Sequence, residues 1–286
     1  MLKPQRLLSV QSHVAFGHVG HSAACFALRR LGVDVHAVHT VLFSSHPGYS
    51  GWRGETLAPD LVAGVLSGLF DSGVLEGCRA LLTGYLGDPE NAHTILKAVH
   101  KLRQLDPDAT YICDPVLGDA GETYVHPDLM VYFTEVLAPI ADVVTPNLDE
   151  LGWIAGQEIR SLDDARGAAA ALRARGTRAV VATGLRFDED DPQQHILIDA
   201  EWGAHLVSTP HVPRAFTGTG DLFTALLSAH LLHGEELSRA AHLAASSLAS
   251  VLELTHTAGS RELLIVPAQN ALVEDARPDV TCARLS

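Results

Sequence analysis

What most limits how this chain can fold is the regular alternation of short apolar runs with helical patterns. Residues 7–10 read as a first strand, 22–31 as a helix stopped by Gly32, and 33–42 as a valine-rich second strand. Helix 59–70, strand 80–83, helix 90–105 and strand 110–113 follow. Next come helix 128–137, strand 142–145, helix 148–155, an alanine-rich helix to Arg175 opened by Ser161-x-x-Asp164, and strand 179–182. Such alternation implies right-handed βαβ crossovers, hence a mostly parallel sheet covered on both faces. The pattern changes after Ala182. An acidic loop at 188–192 precedes 195–198 and 205–209, which read as an antiparallel hairpin at the sheet's edge, and then two long helices over 221–232 and 237–254. No linker or repeat divides the 286 residues, so one domain is expected, with a polar tail from about 274 to 286 that frays.

In sheets of this kind ligands bind beyond the carboxyl ends of the strands. Four polar segments fall there: Gln11-Ser12-His13, Gly84-Tyr85, Asp114-Pro115 and Pro146-Asn147. Gln11 onward reads as a flexible polar loop leaving the first strand. Its three histidines, His13, His18 and His21, suggest substrate contacts or plain loop residues more than a metal site. Phe43-Ser44-Ser45-His46-Pro47-Gly48-Tyr49, after the second strand, suits closure over a flat ring.

Bulk properties exclude some partners. With 47% apolar and 19% charged residues the chain suits a well-buried globular protein. A net charge of -14 with no basic stretch argues against nucleic acid and anionic membranes. No run is long enough to span a bilayer, and the residues from Met1 lack the pattern of a signal peptide. The four cysteines, Cys25, Cys78, Cys113 and Cys282, are scattered as reduced thiols are, so a cytoplasmic protein is expected. The only lysines are Lys3, Lys97 and Lys101. Any phosphate bound here must therefore meet backbone amides, helix ends, arginines or a divalent metal.

The segment Thr217-Gly218-Thr219-Gly220-Asp221 is built for that task. Its glycines let successive N–H groups face one concavity, and the helix behind adds its positive end. Asp221 in such a place suits a base that takes a proton from a hydroxyl during phosphoryl transfer. A plain glycine turn at a helix start fits the same five residues equally well. The P-loop, dinucleotide, H-E-x-x-H and G-x-S-x-G signatures are absent. Asp114 and Asp119 flank a proline–glycine turn and could both face a hydrated Mg²⁺, although a solvated turn is the commoner use of such a pair. Thr145-Pro146-Asn147-Leu148-Asp149-Glu150 puts acids near a helix start, where complementing the helix dipole is the simpler role.

Taken in order, these pieces resemble the pyridoxal kinases of the ribokinase-like superfamily, in particular the bacterial PdxY type. The matching residues are Gln11-Ser12-His13-Val14, Gly17-His18-x-Gly20, Arg29-Arg30-Leu31-Gly32, Phe43-Ser44-x-His46 and Gly84-Tyr85-Leu86-Gly87. Cys113-Asp114-Pro115-Val116, Pro146-Asn147-Leu148-x-Glu150-Leu151 and Gly218-x-Gly220-Asp221 complete the set. The resemblance implies a three-layer α/β/α sandwich and transfer of the γ-phosphoryl group of ATP to the 5′-hydroxyl of pyridoxal, in vitamin B6 salvage. It implies Mg²⁺, often K⁺, and a homodimer. Asp221 would be the base, with the amides of Gly218, Thr219 and Gly220 as the anion hole. Ser12 would hold the ring's polar edge, with His46, Pro47, Gly48 and Tyr85 around the ring. Asp114, Thr145, Glu150 and Thr183 would face the ATP–metal end, with metal at Asp114, Glu150 and Asp119, and Thr209, Pro210, His211 and Val212 would meet the nucleotide.

Three departures bear on this. Pro47 stands where the family usually has a threonine that touches substrate. Near Thr183-Gly184 there is no Lys or Ser, and Gly121-Glu122-Thr123-Tyr124 lacks the cysteine some relatives carry. Two other functions therefore stand beside the first: a kinase for another hydroxymethyl heterocycle such as hydroxymethylpyrimidine, and a weakly active B6-binding carrier or sensor.

Overall fold

A computed structural model describes residues 5–286; Lys3 and the start of the N-terminal segment read above lie outside the described residues. One ten-stranded sheet organises the described residues. Its strands are β1 (Gln5–Val14), β2 (Val33–Phe43), β3 (Gly54–Thr56), β4 (Ala80–Thr83) and β5 (Thr110–Cys113), and then β8 (Val143–Val144), β9 (Ala179–Leu185), β10 (Gln193–Ala200), β11 (Gly203–Pro210) and β12 (Thr281–Arg284). A separate two-stranded ribbon pairs β6 (Gly118–Asp119) with β7 (Glu122–Thr123). The order in the large sheet is β12-β11-β10-β9-β8-β5-β4-β1-β2-β3. From β9 to β2 every pairing is parallel, while β3, β10, β11 and β12 add antiparallel edges.

Helices cover both faces. On one lie α1 (His21–Arg30), α7 (Thr219–Leu232) and α8 (Leu237–Thr257), packed through Leu28, Phe223, Leu226 and Val251. On the other lie α2 (Pro59–Asp71), α3 (Glu90–Leu105), α4 (Pro127–Tyr132), α5 (Leu148–Ala155) and α6 (Leu162–Ala174), packed through Leu66, Ile95, Phe133 and Leu172. This is the expected three-layer arrangement, and the neighbours in space follow from the chain's path. β1 leads to β2 on one side, and the later parallel strands are laid down on the other. The loops after β1 and β4 therefore diverge, opening a crevice at the strands' carboxyl ends.

Several boundaries differ from the sequence pattern. β1 carries on through Gln11-Ser12-His13 to Val14, with a bulge between Gln11 and His13, where a loop was expected. Bulges re-aim side chains next to sites. The helix expected over 128–137 is α-helical only to Tyr132, then widens into a π-turn over Phe133–Leu137 and tightens over Ala138–Ile140. The tail expected to fray instead forms β12 on the edge of β11, and the Leu285 N–H donates to the Ala204 carbonyl at 2.9 Å. Its ladder satisfies backbone groups that would otherwise face water.

Deleting residues 281–286 is expected to lower Tm by about 2–4 °C, the shift that roughly 1 kcal/mol produces in a chain of this size. Thermal unfolding checks it; a tail that merely frays leaves Tm unchanged.

Candidate active site

The crevice closes on the start of α7. Gly218 caps that helix in the left-handed region at φ 84°, and no side chain caps it, so its first-turn N–H groups stay open to a ligand. A Cβ at residue 218 would overlap the His18 carbonyl, so only glycine lets the turn lie against the loop after β1. Gly20, at φ 53°, fits as tightly: a Cβ there would run into the Ser12 hydroxyl and carbonyl. The Gly20 N–H in turn faces Asp221, the third residue of α7, closely enough to favour its carboxylate. Burial raises the Asp221 carboxyl above its ordinary range, and the Gly20 amide offsets part of that. Ser12, Gly20 and Asp221 are thus consecutive in space, although they come from two distant segments.

Behind Asp221 lies an acidic floor. Asp114, at the end of β5, is almost fully buried. Its Oδ1 accepts from the Thr145 hydroxyl at 3.2 Å, and Thr145 Oγ1 accepts from Thr224 on α7 at 3.0 Å. Burial pushes the Asp114 carboxyl well up, and the negative charges of Glu150 and Asp221 push it further. Glu150 is buried too. Its Oε1 accepts from the Leu117 N–H and its Oε2 from the Asn147 N–H, both at 2.9 Å, while Asn147 Oδ1 accepts from the Glu150 N–H. These bonds form a reciprocal cap on α5. Burial raises Glu150 to about 8, against the opposing amides of Asn147, Leu117 and Gly118. Glu150 is therefore both a helix cap and a buried acid, where the sequence pattern pointed only to dipole complementation.

The remaining expected residues fall along the same edge of the sheet. The Tyr85 carbonyl accepts from the Thr40 hydroxyl at 2.6 Å, and burial raises its phenol. His46 Nδ1 accepts from the Gly48 N–H at 3.1 Å, and Pro47 is exposed between them. The Thr183 N–H donates to the Pro146 carbonyl at 2.9 Å within β9. β11 runs parallel to β9, so buried Thr209 and Pro210 reach the same edge; the His211 N–H donates to Pro192, and Val212 packs against the α7 side of the core. Asp119 is exposed on the ribbon, its Oδ1 taking the Ala120 N–H at 2.8 Å, yet its charge still raises Glu150.

Two participants escaped the sequence reading. Thr224 lies one turn beyond Asp221 on the same helix face, a spacing the sequence does print. Tyr124 is 57% exposed along its length, yet burial of its phenol and the charges of Glu150, Asp221 and Asp114 hold it above its usual range. The histidines divide. His13 stacks on His39 with centroids 4.6 Å apart, His21 Nδ1 meets His39 Nδ1 at 2.8 Å, and burial drops His21 to about 3. They line a hollow of about 580 Å³ beside α1, with Phe26, Arg29 and Arg30, and none of the acids lines it. No group of three His, Cys, Asp or Glu among the described residues could hold a metal unaided.

Comparison with known proteins bears on what this cluster does. A family model described as phosphomethylpyrimidine kinase matches residues 54–264. The pyridoxal kinase PdxY of Rubrobacter xylanophilus is 45% identical over 270 residues, covering 93% of each chain. That of Deinococcus radiodurans is 42% identical over 274 residues, covering 93% of this chain and 92% of its own. The chain belongs to the pyridoxal kinase family. It is accordingly a kinase that uses ATP, on the ribokinase-like fold. The solved pyridoxal kinase from Leishmania donovani, in complex with ADP and pyridoxamine, superposes with a TM-score of 0.92 at 29% identity, covering 99% of this chain and 100% of that one.

The acids of this family member carry a pH signature. Glu150 keeps its proton up to about 8 when folded, against an ordinary value of 4.5, so the folded state holds the extra proton between those limits. Stability contributed at low pH is then lost as pH rises through that window. Without divalent cations, Tm is expected to fall from pH 6 to pH 9, with a flatter profile in Glu150→Gln. Identical profiles for both proteins would remove Glu150 as the cause.

Proposed function

We propose that this protein transfers the γ-phosphoryl group of ATP to the 5′-hydroxyl of pyridoxal, with Asp221 as the base. One observation carries the reading: an ionisable carboxyl, raised by burial, sits in the first turn of a helix whose N–H groups no side chain caps, and faces Gly20, which packs on Ser12. A base works best with its pKa drawn toward the operating pH, and burial moves Asp221 that way. As Asp221 takes the hydroxyl proton, the hydroxyl oxygen bonds to the γ-phosphorus and the bond to the β–γ bridging oxygen breaks, releasing ADP. The N–H groups at Gly218, Thr219 and Gly220 stabilise charge on the phosphoryl oxygens. Ser12 holds the ring's polar edge; His46, Pro47, Gly48 and Tyr85 line the ring. Thr183 and the segment Thr209, Pro210, His211 and Val212 lie toward the nucleotide.

The acidic floor fits Mg²⁺. Glu150 and Asp221 raise the cost of ionising buried Asp114, and Asp119 raises that of buried Glu150, which a cation relieves. With Asp119 at the rim they offer carboxylates for an ion completed by water and ATP phosphates, the usual manner for this metal. When bound, Mg²⁺ neutralises phosphate charge; Thr145 orients Asp114 toward it. From the family resemblance we also propose K⁺ at the same end, a homodimer and a cytoplasmic location.

Pro47 and the name of the matching family model favour one second reading, a kinase for hydroxymethylpyrimidine. Mg·ATP-dependent ADP release separates the two. Saturable turnover is expected on pyridoxal, with kcat/KM at least tenfold above that on hydroxymethylpyrimidine. The reverse order moves the substrate, and pyridoxal binding with no ADP from either compound makes this a B6-binding carrier. Chelation with EDTA is expected to abolish turnover, and Mg²⁺ to restore it.

A further inference from the structure

Glu262 follows α8 in sequence and lies far from every motif described above, yet it holds two loops of the site. Its Oε2 accepts from the His18 N–H at 2.9 Å, in the loop after β1. Its Oε1 accepts from the Tyr49 hydroxyl, in the loop between β2 and β3. The neighbouring Arg261 repeats the link. Its guanidinium lies 3.7 Å over the Tyr49 ring, and Nη2 donates to the Gly48 carbonyl at 2.7 Å. Phe16 meets the Tyr49 ring edge-on at 5.6 Å. Gly17, at φ 97°, leaves the room Glu262 needs: a Cβ there would come within 2.5 Å of Oε2.

The carboxylate is itself well anchored. Leu263 is fully buried in the core beneath α8, the Leu264 N–H donates to Thr255 Oγ1 at 3.0 Å, and the Ser260 hydroxyl donates to the Glu262 carbonyl at 2.7 Å. From this fixed point one arm reaches His18, whose carbonyl abuts Gly218 at the anion-binding turn. The other reaches Tyr49, next to Gly48 and two residues from Pro47. A single carboxylate therefore sets the spacing between the phosphoryl end of the crevice and its ring end. Charge-assisted hydrogen bonds suit this, being the stronger and more directional kind.

We propose that Glu262 is a positioning residue for the alcohol substrate, its two oxygens fixing the loop at 44–53 against the loop at 15–20 so that the ring's hydroxymethyl group meets Asp221. The inference rests on the kinase reading above and adds a residue outside its motifs. On the kinase reading ATP is held chiefly at the acidic floor and β11, so loss of Glu262 is expected to fall mainly on the alcohol substrate.

The test is steady-state kinetics of full-length wild type, Glu262→Gln, Tyr49→Phe and the double variant, varying pyridoxal and Mg·ATP separately, with Tm for each. Losing one charge-assisted bond is expected to raise KM for pyridoxal about tenfold or more in Glu262→Gln, with KM for Mg·ATP within about twofold. Tyr49→Phe, which removes only a hydroxyl, is expected to show a smaller rise in the same constant, and to add little in the Glu262→Gln background because the two share one bond. An unchanged pyridoxal KM in folded Glu262→Gln, or equal rises for both substrates, overturns the proposal. If Glu262→Gln does not fold, Tyr49→Phe decides alone: a pyridoxal-specific rise supports the proposal and none overturns it. Wild type without pyridoxal turnover refutes the reading of pyridoxal as substrate, and the positioning role with it.

Discussion

The carbonyl of His18 occupies the space a side chain at residue 218 would need, and the hydroxyl of Ser12 the space one at residue 20 would need. That double contact brings the end of the first strand onto the start of α7, roughly two hundred residues later in the chain. Without it the open N–H groups of α7, Asp221 and Ser12 would not share a surface. Everything else in the crevice is arranged around this junction. The parallel strands present Asp114, Thr145 and Thr183 at their carboxyl ends, and the switch in strand order between β1 and β4 keeps the space above them clear.

The second constraint is electrostatic. Three carboxyls, Asp114, Glu150 and Asp221, share one poorly hydrated region, and each makes ionisation of a neighbour costlier. A fold that existed only to be stable would not gather them. Their proximity to a helix start with unfilled N–H groups balances the charge only in part, leaving room for a cation and phosphates. The stability cost and the capacity for phosphoryl transfer are thus two consequences of one placement. Glu150 also shows how such an acid is kept in place, since the bonds that cap α5 are the ones that aim its carboxylate.

Much of this was legible in the sequence where the signal is local. β4, α3, β5 and α5 begin and end where apolar runs meet Pro, Gly or a capping residue. Asp221 and Asp114 stood out because each sits in a short glycine- or proline-marked segment, and Ser12 because it falls at the carboxyl end of the first strand. What escaped was non-local or at an edge. β3, the β6–β7 ribbon and β12 are short and mostly exposed, so they carry no apolar alternation and exist through pairing alone. Ser12 read as loop because the bulge in β1 interrupts the pattern on which a strand is recognised. Glu262 bonds residues 213 and 244 positions away, and nothing around it in the chain announces those partners.

The central claim is that Asp221 takes the proton, while the junction of the β1 loop and α7 binds and positions. Asp221→Asn keeps the shape of the side chain and removes its basicity, so the two roles can be separated. Measured by turnover on pyridoxal and by calorimetric binding of pyridoxal and Mg·ATP, the variant is expected to lose about 10²- to 10⁴-fold in kcat with both affinities within a few-fold of wild type. Near-normal kcat would contradict the account, because the hydroxyl proton would then leave without Asp221.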